Sequence, residues 1–102
     1  MVKDASPQAQ LDRLTQELIA GFRDRGVERV EYVPALSPPY RSWVWLGTAT
    51  DAQRDQLAAD PELGEQVRRL AERAGITFQG VTVESQETVA RDFAGNWFYR
   101  LR

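Results

Sequence analysis

The 102-residue chain contains neither histidine nor cysteine. That absence removes the imidazole acid–base, the thiolate nucleophile, Cys/His zinc ligation and disulfides. The side chains left for chemistry are carboxylates, guanidiniums, hydroxyls and aromatic rings. Asp51 and Asp55 share one helical face by spacing, as do Glu62 and Glu65. Paired carboxylates do acid–base work where burial separates their pKa values. Both pairs fall in the first turns of expected helices, where acids favour the positive end of the helix dipole and stay hydrated. They therefore read as helix-end charges. No calcium-loop spacing accompanies them, so no metal is expected. Ser6, Ser37, Ser42 and Ser85 lack a histidine to activate them, and the single lysine, Lys3, lies near the start. Gly75 and Gly80 enclose no Lys-Ser/Thr pair of a phosphate loop. No catalytic constellation converges, no cofactor is implied, and the chain leans away from being an enzyme.

The aromatic residues carry the strongest signal. Tyr40, Trp43, Trp45, Trp97, Phe98 and Tyr99 are six of the ten aromatics and fall in two short segments. Arg41 adjoins the first group and Arg100 the second. Aromatic rings interleaved with arginine are favoured anchors of protein interfaces. Tyr40, Arg41, Trp43, Trp45, Trp97 and Arg100 are accordingly the candidate partner-binding residues. The string SPPYR fits neither common proline-rich ligand spacing and reads as a turn.

The elements that must position these residues follow from periodicity. Residues 1–5 form a lead-in, and Ser6-Pro7 reads as an N-cap followed by a first-turn proline. Leu11, Leu14, Leu18, Ile19 and Phe22 make one apolar stripe of a helix over about 7–25, closed by Gly26. Alternation predicts strands over 27–33 and 41–48. In the second, Trp43 and Trp45 lie on one face and Val44 and Leu46 on the other. Thr50 and Gln53 fit a capping box, and Asp60-Pro61 predicts a break before a second helix that runs to Ala74. A third strand spans 76–84, with Gly80 marking a bulge. Ser85 caps a short helix, and 96–101 alternates as a fourth strand. The expected fold is α+β: a two-layer sandwich with a four-stranded antiparallel sheet and helices on one face. Its α-β-β-α-β-β order fits a permuted ferredoxin-like layout in a single domain, 1–102. In that layout the tryptophans either fill the core or lie on the uncovered face.

Charge narrows the partner. Thirteen basic and 15 acidic residues leave a net −2, and arginine alternates with acids instead of forming a stripe. Nucleic acid, which draws affinity from excess positive charge, is disfavoured. No apolar run is long enough for a membrane span and the first residues lack a secretory core, so a cytoplasmic location is expected. These features predict a small acidic protein-interaction module that binds or masks another protein, of inhibitor, antitoxin, immunity or adaptor type, or pairs with itself as a homodimer. The alternative is a small-ligand- or nucleic-acid-binding domain that uses an aromatic, open sheet face.

Overall fold

In the computed structural model, which describes residues 7–34 and 41–101, the chain opens on α1 (Pro7–Phe22) and a 3-10 turn (Arg23–Arg25). Gly26 ends the turn in the left-handed region at φ 96°, a conformation that costs glycine nothing and other residues about 1 kcal/mol or more. The chain then enters β1 (Val27–Pro34) and returns as β2 (Arg41–Thr48). The expected lead-in, the Ser6 cap, residues 35–39 and Tyr40 lie outside the described residues.

The capping box forms as its spacing requires. The Thr50 side chain accepts from the Gln53 N–H, and the Gln53 side chain accepts from the Thr50 N–H, opening α2 (Asp51–Ala58). The break falls at Asp60-Pro61, where the Asp60 carboxylate accepts from the Glu62 N–H at 2.9 Å and pairs with Arg25 at 2.9 Å. Then α3 (Leu63–Arg73) leads into β3 (Thr77–Ser85), and Ser85 caps α4 (Gln86–Asp92) by accepting from the Thr88 N–H. The last element is α5 (Trp97–Arg100).

Two features differ from the sequence expectation. Among the described residues the sheet has three strands in the order β1-β2-β3 and is mixed: β1 pairs antiparallel with β2, and β2 pairs parallel with β3. Adjacent strands joined by helical elements, here α2 and α3, run parallel because the crossover carries the chain back to its starting end. The expected fourth strand is instead α5. Asn96 caps it, and Gly95 at φ 75° turns the chain into it. A six-residue segment with three aromatics satisfies period two and period 3.6 equally well, and the local cap decides for the helix. Among the described residues, the four-stranded antiparallel sheet and the permuted ferredoxin-like layout are therefore replaced by a three-stranded mixed sheet with five α-helices.

The core lies between one sheet face and α1, α2 and α3. Leu14, Leu18 and Phe22 meet Val44 and Leu46 of β2, with Leu57, Leu63, Val67 and Ala71 completing the layer. Val30, Tyr32, Val81 and Val83 flank it from the outer strands. Tyr32 keeps its hydroxyl partnered, 2.8 Å from Thr15, and burial pushes its pKa up to about 12. On β2 the core takes Ser42, Val44, Leu46 and Thr48. Trp43 and Trp45 consequently point to the opposite, outer face.

Candidate interaction face

Strand register builds the outer face row by row. Val33, Trp43 and Gly80 sit side by side, then Glu31, Trp45 and Thr82, then Arg29, Gly47 and Glu84. The last row is covered. Trp97 of α5 lies over Gly47 so closely that a Cβ there would meet its ring at 3.0 Å. Arg29 stacks on Trp97 at 4.9 Å, and the Trp97 indole N–H donates to Gln86 at 2.8 Å. One helical turn on, Arg100 lies 4.6 Å over Trp45 and 5.4 Å over Phe93. Trp97 and Arg100 reach the same strand because i and i+3 share a helix face.

The first row stays open. Trp43 is 37% exposed and Val33 42%, against 5% for Trp97. The Trp43 ring spreads over Gly80, where an added Cβ would meet it at 2.6 Å, and its indole N–H donates to Thr82 at 2.8 Å. Its polar atom is thus satisfied within the chain, and its free surface is apolar and held in place. A bulge in β3 at this point, where Ser42 pairs with Phe78 and Trp43 with Gly80, leaves Gln79 unpaired and brings Gly80 under the ring. Arg41 opens the same strand on the same face, exposed and without an ion-pair partner among the described residues.

Behind the covered row lies a polar network of which the sequence singled out Asp51 as a helix-end charge and Ser85 as a cap. The Asp51 carboxylate accepts from the Ser85 and Thr88 hydroxyls and from Arg91, while the Glu87 carboxylate accepts from the Asp51 N–H at 2.7 Å. The starts of α2 and α4, capped by their own Thr50 and Ser85, are thus bonded to one another. Hydrogen bonds from Ser85 and Thr88, against a smaller desolvation cost, hold the Asp51 pKa down at about 2. Glu84, whose side chain is 5% exposed, lies between Arg54 and Arg100. Burial pushes its carboxyl up, but Arg100, the Ser85 N–H and Arg54 together outweigh that and hold it below the ordinary carboxylate range. Every acid here is engaged by donors of the same chain, an arrangement of structural caps and ion pairs. Among the described residues, no group of three carboxylates is placed to hold a metal ion.

The candidate residues therefore separate. Arg41 and Trp43 stand at the open end of the outer face. Trp45 lies half-buried beneath Arg100, while Trp97 and Arg100 serve to dock α5, and Tyr40 falls outside the described residues. Val33 belongs to the open patch and was not singled out from sequence, because only strand pairing places it beside Trp43. Phe98 and Tyr99, 62% and 54% exposed, add apolar surface on α5. Among the described residues, no helix is long and apolar enough to cross a membrane. Compared with known proteins, the chain matches no family model, no curated protein and no solved structure.

Proposed function

We propose that the chain is a protein-interaction module that acts by binding or masking a partner through the open end of its outer sheet face. The observation that supports this most directly is Trp43: a large ring, its N–H already bonded to Thr82, lying exposed beside Val33 at the end of the outer face away from α5. An anchor whose rotamer is already fixed loses little entropy on association. Its neighbour Arg41 defines the partner's chemistry further. An apolar side chain on the partner would cover Trp43 and Val33, and a carboxylate beside it would meet the Arg41 guanidinium. Masking of that kind requires no catalytic group from this chain.

The test is a pair of measurements on one variant. Trp43→Ala leaves the monomer folded, because the ring lies on the outer face against Gly80 and Thr82 and not in the core, with a stability loss of about 1–2 kcal/mol. The same change weakens binding to a partner, captured from source lysate and then purified, by about 2 kcal/mol or more. Arg41→Ala weakens it less and makes it less salt-dependent. Equal affinity of wild type and Trp43→Ala for that purified partner removes the proposal.

A further inference from the structure

We infer that the free side of β3 is a self-association edge, and that two copies of this chain pair there antiparallel about a two-fold axis at Thr82. The inference uses the edge of the sheet, not its outer face, and goes beyond the partner binding proposed above.

The two ends of the sheet are built differently. β1 carries Glu28, Arg29 and Glu31, a register irregularity between Val27 and Arg29, and Pro34 at its end. Charges, bulges and proline are the devices that keep an edge strand from pairing with another chain. β3 has no charged residue from Thr77 to Val83, and its bulge lies before Gly80, leaving the stretch beyond it regular. No described element pairs with its free side. There Val81, Thr82 and Val83 border a groove of about 350 Å³ whose other wall is Ala58, Asp60, Leu63 and Gly64. A Cβ built on Gly64 meets nothing within 4 Å, so that wall leaves room beside the strand.

The occupant follows from self-complementarity. Val81-Thr82-Val83 reads the same in both directions, so a two-fold at Thr82 sets Val81 opposite Val83 of the second copy on the inner face. β-branched cross-strand pairs of this kind stabilise a sheet. Gly80 falls opposite Glu84 of the second copy, whose carboxylate is already held by Arg54 and Arg100, so no like charges stand directly opposite along the paired strands. A two-fold lying in this edge is isologous and closes at a dimer. The product is one six-stranded sheet. Because the axis is perpendicular to it, both Trp43 rings lie on the same side, which joins the two open patches into one larger docking face.

Analytical ultracentrifugation of the full chain tests this. Wild type shows reversible, concentration-dependent doubling of mass. In Thr82→Lys, two ammonium groups face each other across the axis, and the dissociation constant rises at least about fivefold, the order expected for directly opposed like charges. Circular dichroism confirms that the variant is folded. A second readout exploits the cysteine-free sequence. Directly opposite Cβ atoms lie about 4.5–5.5 Å apart, close enough for small backbone shifts to close a disulfide. Under mild oxidation Thr82→Cys therefore gives a covalent dimer much faster than Glu72→Cys, placed on exposed α3. A wild type still monomeric at roughly 1 mM overturns the inference. So does a dimer that Trp43→Ala abolishes and Thr82→Lys leaves intact, or one in which Thr82→Cys crosslinks no faster than Glu72→Cys.

Discussion

Glu84 is a nearly buried carboxylate between two guanidiniums, and the sign of its contribution follows from that geometry. Replacing it with glutamine keeps its size but leaves Arg54 and Arg100 facing a neutral amide. Glu84→Gln should cost about 1–3 kcal/mol in urea unfolding at neutral pH, since the unpaired partners keep part of their desolvation penalty. Asp51 sets the acid limit. Its folded pKa of about 2 lies below the ordinary 3.8, so its stabilisation is fully present above pH 4 and is lost as pH falls towards 2. The stability difference between wild type and Asp51→Asn should accordingly shrink across that interval. A difference that stays constant from pH 5 to pH 2 would show that the Ser85 and Thr88 hydroxyls do not favour the ionised form. In the core, Leu18 is fully buried, and Leu18→Ala should cost about 2–5 kcal/mol.

Among the elements, α5 has the least intrinsic support. A four-residue helix cannot persist on its own hydrogen bonds, because nucleation is unfavourable and propagation has no length over which to recover it. It is held by Trp97 on Gly47 and Arg100 on Trp45, and Gly47 is the position that permits the contact. Gly47→Ala puts a methyl 3.0 Å from both the Trp97 ring and the Arg29 Cβ, and the neighbouring strand backbone cannot readily yield. The substitution should cost about 1–3 kcal/mol by overpacking, and it should raise the exposure of Trp97 to a fluorescence quencher. Unchanged quenching would mean that α5 docks without this contact. α2 and α4 show the opposite logic: each is capped by its own Thr50 or Ser85, but Glu87 accepts from the Asp51 N–H and Asp51 from the Ser85 hydroxyl, so the two helices are expected to lose protection from hydrogen exchange together.

The whole molecule places helices on both sides of a thin sheet, but unequally. The inner face is packed against α1, α2 and α3, whereas, among the described residues, α5 covers one end of the outer face. This inequality leaves Trp43 and Val33 bare, and the three-strand width leaves β3 as an edge within reach of a second copy. With no histidine or cysteine, and no acidic cluster placed to hold a metal ion among the described residues, the melting temperature should be unchanged by EDTA or by stoichiometric Zn²⁺. A rise of several degrees with either metal or ligand-sized anions would reveal a native-state site, since binding must stabilise.

Local patterns in the sequence determined most of the elements and the division of their faces. The α1 stripe, the Thr50–Gln53 capping box, the Asp60-Pro61 break and the Ser85 cap depend on residues within four positions of one another, so periodicity and cap chemistry specify them directly. Alternation likewise requires Trp43 and Trp45 to share a face. Which face the helices cover is a different kind of fact. It depends on how α1, α2 and α3 are carried across the sheet, a long-range choice that the apolar content of both β2 faces leaves open. The parallel pairing of β2 with β3 is equally non-local, since it follows from the return of the chain through α2 and α3. So is the fate of Trp97 and Arg100. In a run as short as 97–101, two periodicities compete, and docking against Gly47 and Trp45 decides between them. Tertiary structure thus placed Trp97 against Gly47 and Arg100 over Trp45, and left Trp43, with Val33 beside it, at the surface.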